Sequence, residues 1–519
     1  MSRLFSVFAI LVLLPALSQG AEIGAAVRQL ARPVLIRNEH NSLLQLTIDA
    51  AETPFIELKS IAISLEGAEN IESLQFYSTG ADGGFSTEKP FGDRAKATSK
   101  LTIPGHLRLT AGVNHFWLSC RVKADADLTG RVDAAVYAIE TSSGKLSAVR
   151  DDTPGIRKRI GIALRRHWDD GVHTYRIPAL ATSAKGTLLA VYDMRRRKGK
   201  DLQEDIDIGL VRSTDGGRTW GAQQVIMDMG TFGGLPQEVN GCSDPGIIVD
   251  PATGEIFCFG VWTNGMAGTH QWEIDGSAPG FEIGKTAQFM MVRSSDDGQT
   301  WSKPQNMTRT WKDPSWILYA PSPQQGIALN DGTLVVPTQG RDAKDRHFSN
   351  LLISRDHGKS WSVSEPASFG NTECQAVQLT DGSIMLNCRT ESPTKFRTVA
   401  VTRDLGKTWS PHATNRKGII EPNCNGSLYR FDYPGVDGTK AETLLLFANP
   451  HTQAGRTHHT IQVSRDDGQS WPSRLLLDEG AGAGYPSLSR IDSRHVGIVY
   501  EGSGSHVVFE KIAISELLK

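Results

Sequence analysis

The sequence predicts an all-β protein, and three observations carry that expectation. One eight-residue phrase recurs five times between residues 213 and 471. Runs rich in β-branched and aromatic residues alternate with turns of Gly, Asp, Asn and Ser, and the chain holds 52 glycines in 519 residues. Stretches with the apolar period of a helix are scarce, which leaves strands and turns as the building units.

The phrase reads STDGGRTW (Ser213 to Trp220), SSDDGQTW (Ser294 to Trp301), SRDHGKSW (Ser354 to Trp361), TRDLGKTW (Thr402 to Trp409) and SRDDGQSW (Ser464 to Trp471). Its pattern is hydroxyl, any, Asp, any, Gly, any, hydroxyl, Trp, and each copy follows a run of strand character such as IGLVRS. An Asp can bond backbone N–H groups within its own loop, and Gly supplies the positive φ that a tight hairpin requires. The Trp plugs the gap between neighbouring sheets. Five of the eleven Trp fill this one role, so the Asp residues are structural and not catalytic. A unit repeating every few tens of residues signals a propeller or a solenoid.

At 519 residues the chain is long enough for two domains. Its formal net charge of -2 gives no basic excess for nucleic acid. Arg3 followed by the apolar run Leu4 to Leu17 and the small residues near Gly20 reads as a signal peptide over residues 1–20, too short for a membrane span. Export to the periplasm or the medium as a soluble monomer is the expectation. Cys120, Cys242, Cys258, Cys374, Cys388 and Cys424 show no zinc spacing, so no metal is expected. Buried free thiols are the first reading. A disulfide between Cys374 and Cys388, on adjacent strands, is the alternative that export permits.

Residues 22–155 lack the phrase and carry short β-like runs, including Ser42 to Asp49, Ile56 to Gly67, Ser73 to Gly80, His106 to Thr110, Asn114 to Lys123 and Arg131 to Glu140. That spacing predicts a β-sandwich. Phe76, Tyr77 and Trp117 are read first as strand core, with stacking on a sugar as the alternative. The polar stretch Ala148 to Arg159 reads as the linker.

The five phrases resemble the Asp box of sialidases (neuraminidases), and Tyr175-Arg176-Ile177-Pro178 resembles the (F/Y)RIP signature ahead of the first box in that family. The resemblance covers the chain from about Gly161 to Lys519. It implies a six-bladed β-propeller over residues 160–519, preceded by the β-sandwich, which resembles the N-terminal module of some bacterial sialidases. Five boxes plus a leading blade region (Tyr175 to Asp193) make six blades, with C-terminal strands closing the ring beside the earliest ones.

The resemblance also implies a site. A sialic acid carries a carboxylate on its anomeric carbon, and Arg meets carboxylates in a planar fork. Arg176, Arg389 (in LNCRT) and Arg456 (in HTQAGRTHH) match the family's three carboxylate-binding arginines. A carboxylate nucleophile would be repelled at that carbon, whereas a phenol would not. Tyr485, in GAGAGYPSL, matches the family nucleophile, and Glu373, in NTECQAV, the base that takes its proton. For the general acid, Asp201 fits best and Asp205 second. Asp207 lies in the alternating run DIDIGLV and reads as structural, and Asp193 ends the preceding run. Arg195 matches an Arg on the carboxylate and O4 side, and Asp244 one that contacts O4, unless it merely starts the turn before Pro245. Gln375 is a candidate for lining the site. Trp262, Met266 and Trp272 are candidates for an apolar wall.

The reading is therefore an exo-α-sialidase acting on glycoproteins, gangliosides and sialyl-oligosaccharides, with retained configuration and no cofactor. A trans-sialidase and a non-catalytic sialic-acid-binding propeller stay open as alternatives.

Overall fold

A computed structural model describes residues 23–50, 56–263, 276–435 and 440–519. The signal-peptide segment, Met266 and Trp272 lie outside the described residues. Among the described residues no helix is long and apolar enough to cross a membrane.

The first part of the chain forms strands where its alternating pattern places them. In Arg131–Thr141, Val132, Ala134, Val136 and Ala138 turn inward while Tyr137 faces solvent, the period of two that a half-buried strand imposes. One sheet has the order Arg150–Asp151, Gly24–Arg28, Asn41–Asp49, Val113–Val122, Ile71–Gly80, Pro90–Lys96. Lys100–Arg108, Glu57–Glu66 and Arg131–Thr141 form part of a second, and the two share one apolar core containing Leu46, Phe116, Ile61 and Val136. Phe76, Tyr77 and Trp117 are buried strand residues, in line with the first reading of them.

The stretch from Ala148 to Arg159 is not a free linker. Arg150–Asp151 pairs in parallel with Gly24–Arg28, and Lys158 and Arg159 already belong to the strand Lys158–Arg165. That strand pairs on one side with Arg131–Thr141 and on the other with Val507–Ala513, so one sheet runs from the first part of the chain into its last. Two charges of the stretch, Lys158 and Arg159, are buried and met by partners, whereas Arg150, Asp151, Asp152 and Arg157 stay exposed. Lys158 Nζ donates to Leu30 O at 2.6 Å, and Arg159 Nε donates to Glu510 Oε2 at 2.6 Å.

From Thr174 onward the chain builds successive sheets, each containing four adjacent antiparallel strands, to which some add one or two short extra strands. Their first strands are Thr174–Thr182, Cys242–Val249, Leu318–Pro321, Asn371–Gln378, Ser427–Tyr433 and Pro486–Arg490. Each neighbouring pair of sheets is joined by its own apolar cluster: Leu189 with Ile247, Phe257 with Leu334, Leu351 with Cys374, Met385 with Leu428, and Leu446 with Leu488. Tyr192 of the first sheet then shares a cluster with Phe509 of the last, so the chain of shared cores returns to its start.

Each repeated phrase joins the third strand of a sheet to its fourth, the first from Ile206–Ser213 to Gln224–Met227. The last sheet takes its fourth strand, Lys158–Arg165, from before the repeats, which explains why six sheets carry only five phrases. Inside the phrase Ser213 Oγ donates to Asp215 Oδ1 at 2.8 Å, the Thr219 amide donates to the same oxygen at 2.9 Å, and Thr219 Oγ1 donates to Oδ2 at 2.6 Å. Asp296, Asp356, Asp404 and Asp466 repeat this arrangement. The residue before the conserved glycine is left-handed as well, at φ between 54° and 70° in Gly216, Asp297, His357, Leu405 and Asp467.

Hydrogen bonds from Thr300, Ser360 and Thr408 hold Asp296, Asp356 and Asp404 at about 2, against an ordinary 3.8. A depressed carboxylate pKa stabilises the fold above the unfolded value and loses that contribution as pH falls through the folded value. Replacing all three by Ala is therefore expected to lower the thermal midpoint by several degrees at pH 6. The gap to the parent protein should narrow as pH falls from about 4 to about 2; a gap independent of pH would contradict this account.

Candidate active site

At one end of the ring a cavity of about 280 Å³ opens where the first strands of several sheets begin. Three of those strands break register there, between Arg176 and Ala179, Ser243 and Gly246, and Asn371 and Cys374. A bulge re-aims side chains and bends its strand. Ile177 and Asp244 take positive φ, 53° and 60°, within the first two. The bulges accompany Arg176, Asp244 and Glu373 on the cavity lining, together with Asp201, Arg389, Arg456 and Tyr485.

The centre of the cavity is a buried phenol. Tyr485 Oη donates to Glu373 Oε1 at 2.6 Å. Arg389 Nη1 donates to the phenol oxygen at 2.9 Å and to Glu373 Oε2 at 2.7 Å, while its Nε donates to Asn423 Oδ1 at 2.8 Å. Arg456 is fixed by the carbonyls of Ala483 at 2.7 Å and Asn423 at 3.3 Å. The guanidinium carbons of Arg176 and Arg456 lie 5.8 and 5.5 Å from the Tyr485 ring centroid. Burial, and after it the Glu373 carboxylate, push the Tyr485 pKa well above the usual phenol value. The phenol is thus protonated at neutral pH and gives its hydrogen bond to Glu373.

Behind this group sits Glu501, which sequence reasoning missed. Its carboxylate is fully buried and accepts from Arg176 Nε at 2.6 Å, from the Ile177 amide at 2.7 Å and from the Tyr485 amide at 3.0 Å. The burial of Arg176 works against its charge, but Glu501 outweighs it and raises the Arg176 pKa. YEGSGS at a strand end carries no sign of this role. Gln339, His347, Thr372, Glu391 and Asn423 also line the cavity without a sequence signal. His347 Nδ1 and Glu391 Oε1 pair at 2.8 Å, which lowers the Glu391 pKa.

Two acids, Asp201 and Asp244, also line the cavity. Asp201 is about half exposed and pairs with the Arg195 guanidinium. The fully buried Asp193 accepts from Arg195 Nη2 at 3.0 Å, from Ser243 Oγ at 2.7 Å and from the Asp244 amide at 3.1 Å. Burial raises Asp193 to about 6 although Arg195 opposes it, and burial with Asp193 nearby pushes Asp244 well up.

Several sequence expectations need correction. Arg195 does not line the cavity: it is buried behind Asp201, with its donors taken by Asp193, Asp201 and the Gly199 carbonyl. Gln375 also lies outside the cavity, its amide donating to the carbonyls of Pro323 and Cys374 at 2.9 and 2.8 Å. Trp262 forms no wall, because its ring is sealed in a core against Phe232 and its Nε1 donates to Asn240. Asp205 meets Gln237 and Arg197 away from the cavity. Two readings agree with the structure: Asp207 is held by Arg196 within its strand, and all six cysteines are buried free thiols, Cys374 and Cys388 facing each other on paired strands without a bond.

Comparison with known proteins completes the picture. Residues 134–498 match the family model of the BNR repeat-like domain, and residues 22–145 that of the N-terminal domain of BNR-repeat neuraminidase. The chain is 37% identical to a sialidase of Bacteroides fragilis (strain YCH46), over 99% of both chains. It is 33% identical to a sialidase of Micromonospora viridifaciens, over 64% of this chain and 51% of that protein. Among solved structures, the Hadza microbial sialidase Hz136 aligns with a TM-score of 0.88 and 34% identity, over 95% of this chain and all of that one.

Removing the Glu501 carboxylate while leaving Arg176 in place should leave a largely buried cation without its partner. Glu501→Leu is expected to cost about 3–5 kcal/mol of unfolding free energy, measured by urea titration. A loss below about 1 kcal/mol would show that Glu501 does not hold this end of the ring together.

Proposed function

This chain belongs to the BNR-repeat neuraminidase (sialidase) family, and from that premise we propose a retaining mechanism in which Tyr485 is the nucleophile. The protein is a glycoside hydrolase, an exo-α-sialidase, and its substrates are sialylated glycans. The observation that carries the mechanism is the 2.6 Å contact from the Tyr485 phenol to Glu373, inside a cavity also lined by Arg176, Arg389 and Arg456.

The six sheets with their closed circuit of shared cores support a six-bladed propeller over residues 160–519. The two sheets around one core in residues 22–155 support a β-sandwich. The apolar run after Arg3 supports export by a signal peptide over residues 1–20, to the periplasm or the medium.

In the first step Arg176, Arg389 and Arg456 hold the substrate carboxylate, and their fixed positions orient the anomeric carbon over Tyr485. The Tyr485 oxygen bonds to that carbon as its proton passes to Glu373. The bond to the departing glycan breaks, and its oxygen takes the proton of Asp201. In the second step Asp201 accepts a proton from water, the resulting hydroxide bonds to the anomeric carbon, and the phenolate leaves and regains its proton from Glu373. Two displacements retain the configuration. Asp201 pairs with Arg195 and is half-exposed, so water can reach it for the second step. Asp244, buried beside Asp193, is placed to meet a hydroxyl of the bound sugar.

Tyr485→Phe should lose at least about a thousandfold in kcat on 4-methylumbelliferyl sialoside while keeping its circular dichroism spectrum; turnover near the parent level would rule out the nucleophile. Asp201→Asn should lose about a hundredfold or more on sialyllactose and much less on the 4-methylumbelliferyl substrate, whose leaving group needs no protonation. Equal losses on both would assign Asp201 another role. NMR of the first-formed sialic acid should show the α-anomer.

A further inference from the structure

The loop that enters the first strand of the ring carries an exposed indole for which the fold has no structural use. Trp168 is 55% exposed, the most of any large apolar side chain among the described residues, and its backbone is left-handed at φ 63°. A bulky residue in that region is strained, and an exposed indole forgoes the burial that normally stabilises it. Both costs are held in place by neighbours. The Trp168 amide donates to Val172 O at 2.9 Å, and the indole packs against His167 and His173, with ring centroids 5.2 and 5.0 Å away. His506 backs the group at 5.6 Å from His167 and accepts from the Tyr175 amide at 3.4 Å.

This aromatic group is tied to the segment that leads to Asp201. The His173 amide donates to Arg196 O at 3.1 Å, and a Cβ on Gly199 would lie 3.3 Å from Thr174 Oγ1, so the segment leading to Asp201 rests on the base of the Trp168 loop. Arg176 follows three residues after His173. His167 also lines an open groove with Asn38, Arg166 and Ser503 to His506, where Asn38 Nδ2 donates to Gly504 O at 3.0 Å.

We propose that Trp168, with His167 and His173, is the platform for the neutral pyranose next to the terminal sialic acid. The inference rests on the exo-sialidase reading. The cavity of about 280 Å³ has room for one terminal sugar, so the rest of the glycan lies outside it. The leaving oxygen must face Asp201, which directs the adjoining ring over the segment packed on the Trp168 loop. The apolar C–H face of a pyranose suits an exposed indole, and the polar groove beyond suits the hydroxyls of further sugars.

The test compares the parent protein, Trp168→Ala and Trp168→Phe on 3′-sialyllactose and on methyl α-sialoside, which lacks the adjoining ring, by sialic acid release. Trp168→Ala should raise KM for sialyllactose about tenfold, leave methyl α-sialoside unchanged, and be largely rescued in Trp168→Phe. Equal effects on both substrates, or none on either, would overturn the platform. Saturation-transfer NMR with lactose reads the platform without turnover: transfer in the parent that is lost in Trp168→Ala supports it, and transfer that persists overturns it. Failure of the parent to release sialic acid from either substrate would instead defeat the sialidase reading.

Discussion

One buried carboxylate holds the catalytic end of this protein together. Glu501 belongs to the last sheet, yet it bonds the side chain of Arg176 and the amide of Ile177 on the first, and the amide that places Tyr485. A ring closed by apolar clusters alone would leave its sheets free to slide, because apolar contact has no direction. Three bonds to one carboxylate fix both the closure and the distance between the arginine and the phenol. The cost of burying Glu501 is offset because the full charge of Arg176 and two backbone dipoles meet it.

The same economy of charge runs through the cavity. Its guanidiniums cluster around Tyr485 and Glu373, while Arg195 bridges the buried Asp193 and the half-exposed Asp201. Each cation is anchored by a carboxylate or by backbone carbonyls, so the site is organised before any ligand arrives and little reorganisation is left for binding. Arg195 illustrates the division: it is as buried as any residue of the core, and its work is to hold Asp201.

The strands and the turns contribute differently. The repeated phrase is self-contained: its Asp, hydroxyls and glycine satisfy one another within eight residues, and so it can be copied from sheet to sheet. The catalytic end depends on irregularity instead. Bulges at Arg176, Asp244 and Glu373 break the alternation that the strands otherwise keep, and turn into the cavity side chains that a regular strand would send elsewhere.

That contrast explains what could be read from the chain alone. The all-β class, the five turns and the burial of Phe76 and Trp117 follow from local periodicity and turn chemistry, which act between neighbours in sequence. Arg176, Glu373, Arg389, Arg456, Tyr485 and Asp201 were legible because each sits in a short recognisable phrase. Glu501 and the His347–Glu391 pair were not, since Arg176 lies hundreds of residues from the one and the two members of the other are tens of residues apart. Arg195 and Gln375 were placed on the lining because sequence gives a residue's address but not its direction. Ala148 to Arg159 read as a linker because it is polar, whereas its last two residues, Lys158 and Arg159, enter a strand where Leu30 O, Glu510 and Glu516 meet them. Direction and pairing are properties of the closed ring, and only the tertiary structure decides them.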